Sequence, residues 1–324
     1  AFRGKLTLTA GQVFLHDFKR DWHISPIAGS LDFAQSPAIK FRLNLRGQEQ
    51  RARLYGTVTP RGLGVVTLQG QNQDMEAWQG IFPVDWALAD LKGRIASLDL
   101  TIEKKQESLK FAGEIKPAGL SGRFAGIQWT DVSGFITFSE SEVRVFYTSG
   151  KIDGQSLAVQ GKVLRPMADP ELQLKVSAKD IDPSVWRGKT PFQGRLSGEA
   201  ELQGSWQNLR IGGKVWLEDG RIGAYAISRA ESGFSGVRAG SSDWSVQLAD
   251  GKGILAGESM QQLNATVHSR NGQLWLETLS GRLGTGFIAA NGKLGPDLLD
   301  LQLTGASIPL TALARSHANL LLDG

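Results

Sequence analysis

Cysteine is missing from all 324 residues, which excludes disulfide scaffolds, thiol nucleophiles, cysteine-ligated zinc and iron–sulfur clusters. The four histidines, His16, His23, His268 and His317, share no metal-ligand spacing, and neither a His-Glu-x-x-His nor a Gly-x-Ser-x-Gly element occurs. His16 and His23 share a polar stretch with Asp17 and Asp21, but that composition reads as a solvated connection, and no metal, cofactor or enzymatic activity is expected. No apolar run approaches the roughly 18 residues of a membrane-spanning helix. Long helical periodicity is lacking too. A dominant charge is also missing: 36 Lys and Arg against 32 Asp and Glu leave a formal +4. Such a spread excess is unlike the concentrated footprint of a nucleic-acid binder, so no nucleic-acid partner is expected.

What the chain has in surplus is glycine, 40 residues, while 41% of the sequence is hydrophobic. Glycine well above the usual ~7%, without a Gly-X-Y period, marks a turn-rich β protein rather than collagen or disorder. Period-two alternation recurs, as in Leu98-Asp99-Leu100-Thr101-Ile102, Leu172-Gln173-Leu174-Lys175-Val176 and Leu299-Asp300-Leu301-Gln302-Leu303. It sets apolar side chains on one face of a strand and polar ones on the other. Turn signals fall between such runs: Ile152-Asp153-Gly154, Glu218-Asp219-Gly220 and Arg270-Asn271-Gly272. With apolar runs of 5 to 7 residues, a strand and its turn take roughly 12 residues, which predicts about 25 strands. Those short runs argue against a transmembrane β-barrel, whose strands need about 9 to 11.

Internal repetition organises the strands. Phe2-Arg3-Gly4-Lys5-Leu6, Leu91-Lys92-Gly93-Arg94-Ile95 and Phe192-Gln193-Gly194-Arg195-Leu196 share one pattern, and Gly150/Gly161 match Gly281/Gly292 at a common offset. Alternating strands run into short helices expected at 74–78, 183–186 and 309–315, with Asp182 capping and Pro183 at the first helical position of the second. The predicted units are 1–90, 91–190 and 191–316, with a further one starting at 317–324. Each leaves strand edges for its neighbour to cover, as in other repeat proteins.

Other motifs have plain accounts. Gly251-Lys252-Gly253 and Gly284-Thr285-Gly286 loosely fit a dinucleotide fingerprint, but β-type residues flank both, so they read as hairpin glycines. Nine tryptophans are dispersed along the chain and read as structural anchors, Trp78 and Trp186 at equivalent joints. The most basic stretch, Lys40-Phe41-Arg42-Leu43-Asn44-Leu45-Arg46, continues to Arg51 and Arg53. Lys40, Arg42 and Arg46 either form a solvated face or contact an anionic phospholipid headgroup or membrane surface.

The segments Gly150-Lys151-Ile152-Asp153-Gly154, Leu157 to Val163, Pro170 to Val176 and Asp180-Ile181-Asp182 resemble those of the AsmA-like superfamily of bacterial envelope proteins. Gly204-Ser205-Trp206-Gln207-Asn208-Leu209 and Gly213 to Ile222 are similar to segments of its TamB-like members; YhdP-like proteins belong to the same superfamily. The resemblance implies an elongated repeating β-groove, a twisted, taco-shaped antiparallel sheet with an apolar lining and short helices between repeats. It implies carriage of phospholipid between the inner and outer membranes of a diderm bacterium. The chain would be an internal, periplasmic piece, anchored through a preceding region, with an outer-membrane barrel of the TamA or BamA type engaged through regions outside it.

Leu98, Leu100, Ile102, Val143, Val145, Leu172, Leu174, Val176, Leu274, Leu276, Leu299, Leu301 and Leu303 are the expected lining. A second reading is a periplasmic scaffold that assists barrel assembly or secretion by β-augmentation. A third is an adhesin or sugar-binding array using exposed Trp206 or Trp244.

Overall fold

The computed structural model describes residues 3–17, 20–34, 37–46, 51–76, 88–106, 108–124, 127–182, 192–222, 225–240, 243–255, 257–270, 273–294 and 299–307. Among them are nineteen strands and no helix. Two compact units divide the chain: Ala1–Gly154 with Gln160–Ala168, and Gln155–Val159 with Asp169–Gly324. The first holds β1 (Lys5–Asp17), β2 (Arg20–Asp32), β3 (Ile39–Arg46), β4 (Arg51–Val58), β5 (Gly64–Asp74), β6 (Leu88–Lys105), β7 (Ser108–Phe124), β8 (Ile127–Ser139) and β9 (Glu142–Ile152). Strand β10 (Gln155–Leu164) is shared between the units. The second holds β11 (Glu171–Ile181), β12 (Phe192–Ser205), β13 (Asn208–Ile222), β14 (Tyr225–Ala239), β15 (Asp243–Leu255), β16 (Glu258–Arg270), β17 (Gln273–Leu283), β18 (Gly286–Leu294) and β19 (Leu299–Ala306).

Within each unit every strand pairs antiparallel with the next in sequence, giving an open meander. The all-β, antiparallel expectation holds; the strand count does not. Among the described residues nineteen strands stand, against about 25 expected for the chain, and strands reach 17 and 18 residues in β7 and β6. The short-run argument against a barrel falls with that expectation. The helix segments at 183–186 and 309–315 lie outside the described residues, as do 77–78. The repeat boundary after residue 90 falls inside β6.

The extra length comes from bulges that let a strand continue through a polar interruption. Asp131, Asp180, Asp219, Asp250 and Gln262 lie at register shifts inside strands, with φ between 51° and 56°. Asn and Asp adopt this left-handed conformation more readily than most side chains. Each shifts the backbone so that the apolar face resumes after the bulge, and the bulged strand bends. The displaced amides find side-chain acceptors on the neighbouring strand: Asp180 donates to Ser197 Oγ at 3.0 Å and Asp250 to Asn264 Oδ1 at 3.1 Å. The Gly119 amide, at another irregularity, donates to Ser133 Oγ at 2.9 Å.

Two repeat-marking glycines belong to these irregularities. Gly93 and Gly194 have φ of 94° and 132°, where an L side chain is strained. A Cβ on Gly93 would stand 2.3 Å from the Gly119 carbonyl oxygen, and one on Gly194 2.7 Å from the Gly220 Cα. Asp153-Gly154, by contrast, forms the expected two-residue hairpin turn between β9 and β10, with both φ values positive.

The buried core gathers beside the bulges. In unit 1 it comprises Met75, Leu91, Ile95 and Leu120, with Trp129 and Val132 packed against them. In unit 2 the register places Ile181, Leu196, Leu217, Ala230, Gly253, Met260 and Leu283 in one row across seven strands. Ile181 and Ile27 are the most enclosed large side chains, at 1% and 2% exposure. Every extensive strand contact among the described residues joins sequence neighbours.

Candidate functional site

Antiparallel pairing puts directly opposed residues on the same face, so the register sorts the side chains of each unit. In unit 1, one row runs Leu8, Gly29, Leu43, Leu54, Leu68, Leu100, Gly113, Phe138, Val143 from β1 to β9. A second passes through Leu98, Ile115, Ile136 and Val145, and a third through Val66, Ile102 and Phe111. The opposite face is polar, with Thr67 hydrogen-bonded to Thr101 at 3.2 Å and Gln69 Nε2 donating to Asp99 at 2.7 Å.

Unit 2 repeats the arrangement. Leu174, Leu202, Ile211, Gly236, Val246, Val267, Leu276, Gly292 and Leu301 form one row from β11 to β19. Val176, Ala200, Gly213, Phe234, Leu248, Ala265, Leu279, Ala290 and Leu303 form the next. At a third level Leu172 opposes Gly204 at one end and Leu274 and Leu299 lie at the other, but Arg238, Trp244 and Ser269 stand between them in register, so only the first two rows are continuous.

All thirteen residues expected from the sequence therefore fall on these rows, five in unit 1 and eight in unit 2. For Leu299 only the backbone position is described. Most are half-buried by their neighbours; Ile102, Leu274, Leu301 and Leu303 are 36%, 36%, 38% and 68% exposed. Sequence reasoning missed Leu54, Leu68, Phe138, Ile211, Phe234 and Leu248, although the alternations Arg53-Leu54-Tyr55 and Val246-Gln247-Leu248 carry the same signal.

Each face is thus an apolar band. Rows two residues apart lie about 7 Å from one another, and two such rows run continuously across the nine strands of each unit. Nine strands at about 4.8 Å carry the band for roughly 38 Å within one unit. Its surface consists of hydrocarbon and aromatic side chains with glycine gaps, so it can retain a long apolar molecule by burial and dispersion without directional polar contacts.

Hydrogen bonding from Lys252 lowers the Glu231 carboxyl, and hydrogen bonding from Arg123 lowers Asp90. Among the described residues no three His, Asp or Glu side chains converge as a metal site. Lys40 and Arg42 are exposed on the face opposite the band; Arg46 opposes Arg51 in register, its side chain lying outside the described residues.

Two further expectations change. Gly251 and Gly253 lie inside β15 at a bulge rather than in a hairpin, whereas Gly284 does turn β17 into β18. Among the tryptophans, Trp129 packs on the core, but Trp206 is 59% exposed beneath the Arg238 guanidinium at 4.7 Å. Trp78 and Trp186 lie outside the described residues. Compared with known proteins, the chain matches no protein-family model, no curated protein and no solved structure.

Proposed function

We propose that the apolar bands carry the acyl chains of phospholipids, making the chain a non-enzymatic segment of a lipid-transfer bridge. The observation that supports this reading is the unbroken succession of apolar or glycine positions across every strand of a unit. A lipid leaving a bilayer exposes its chains to water at about 0.8 kcal/mol per methylene. A continuous band offsets that cost at each step, with no deep minimum at which a lipid stops. In this reading the sheet curves into a groove, with the band as its lining. The resemblance to AsmA-like proteins supplies the setting: the periplasm, between an inner-membrane anchor and an outer-membrane barrel of the TamA or BamA type, both engaged through other regions.

Photo-crosslinkers placed at Leu172, Leu174 and Val176 should capture phospholipid, and Leu174→Glu should reduce capture at least tenfold while the β signal in circular dichroism persists. Crosslinks to barrel strands with no lipid captured would replace this reading with the assembly-scaffold one.

A further inference from the structure

The polar face of β3 and β4 gathers cations on two adjacent strands. Register sets Arg46 opposite Arg51, Asn44 opposite Arg53, Arg42 opposite Tyr55 and Lys40 opposite Thr57. Alternation then assigns Lys40, Arg42, Arg51 and Arg53 to one face of two adjacent strands, within about 20 Å along the strand and 5 Å across it, with Arg46 at the register position opposite Arg51. Among the described residues Lys40, Arg42, Arg51 and Arg53 make no ion pair. Among the described residues Asp32, opposite Lys40, accepts the Ala34 amide at 2.9 Å, and Asp99, two strands from Arg53, accepts from Gln69; Glu49, in the connection between β3 and β4, lies outside the described residues. Glu114 lies one strand beyond Asp99.

Other polar-face cations are matched, Lys175 with Glu201 and Lys252 with Glu231, each at 2.8 Å. Solvent-facing cations left unmatched at such density create a local positive potential that an anionic partner can neutralise.

We propose that this face docks on the surface of an anionic lipid bilayer, with β3 and β4 lying against the headgroup phosphates. The cations stand on the side of the sheet opposite the apolar band, so their phosphates are those of a membrane and not of a lipid seated on the band. A two-stranded stretch of sheet presents its charges to a plane. Tyr55 is the one ring among them, which is too few for the succession of stacked bases that single-stranded nucleic acid requires. The proposal rests on charge placement and stands apart from the acyl-chain reading.

Flotation of the full chain with phosphatidylcholine vesicles, with and without phosphatidylglycerol, tests it. Binding should require phosphatidylglycerol and weaken with salt. Each Lys or Arg near such a surface contributes about 5-fold in partition, so Arg42→Gln with Arg53→Gln should lower it about 25-fold. Lys175→Gln, whose cation already has a carboxylate, should change little. Leu68→Glu, on the opposite face, should leave vesicle binding intact even if it abolishes lipid capture, which separates the two readings. Equal partition to both vesicle types, insensitivity to salt in the unaltered chain, or tighter binding to single-stranded RNA than to vesicles would overturn the proposal.

Discussion

In unit 2 several charges of the polar face are tied to one another: Lys175 to Glu201, Lys252 to Glu231, and Arg195 to Asp219 at 2.5 Å. In β3 and β4 of unit 1 the described cations have no such partners, although later strands of the same unit pair Lys151 with Asp131 and Arg144 with Glu142. The apolar faces of the two units are, by comparison, nearly interchangeable. The difference follows from what each face must satisfy. A one-residue slip would turn a whole apolar row to the other side, so register constrains the band everywhere. Exposed ion pairs contribute little to stability, so the polar face is free to match its charges or to display them.

The comparison breaks most decisively at the core beside the bulges, where both units should respond alike. Ile27→Ala and Ile181→Ala should each lose about 2–5 kcal/mol in urea unfolding, as expected for a large enclosed side chain leaving a cavity. Tolerance of either one would show that only one unit depends on its core line. A smaller, unequal effect is expected at the bulge acceptors. Ser197 is buried at 5% exposure, and Ser197→Ala should cost about 1–3 kcal/mol by stranding the Asp180 amide. Ser133→Ala should cost less, because the Gly119 amide it receives is exposed and water can replace the hydroxyl. Equal losses would contradict that difference in enclosure.

The smallest effect separates the polar faces by pH. Glu231 is lowered by its hydrogen bond from Lys252, against an ordinary value of 4.5. Its contribution is therefore fully present above that value and lost as pH falls through the lower folded value. A carboxyl titration followed by NMR should place the Glu231 midpoint below 4.5, and Lys252→Gln should return it toward 4.5. A midpoint unchanged by Lys252→Gln would dissolve the contrast with β3 and β4.

Much of the band was legible before any coordinates, because alternation reports burial directly: Leu98-Asp99-Leu100-Thr101-Ile102 reads the same in sequence and in register. What alternation could not convey was continuity. Glu218-Asp219-Gly220 looks like a turn, yet β13 runs through it to Ile222 with Asp219 at φ 51°. An Asp that ends a strand and an Asp that bulges it have the same chemistry, and only the neighbouring strand decides between them. The pairing of Arg46 with Arg51 was hidden for a related reason, since it depends on where the β3–β4 hairpin turns.

The strictly sequential strand order within each unit has a consequence for how the protein is made. Every strand finds its partner in the adjoining segment, so no long loop must close before the first ladder forms. A hairpin such as β13–β14 can zip as soon as both segments are available, and each later strand adds to an edge already in place. Assembly can thus keep pace with synthesis or export from one end. The same ordering lets a hairpin be gained or lost without rethreading the others, so length is a quantity that evolution can adjust one pair of strands at a time.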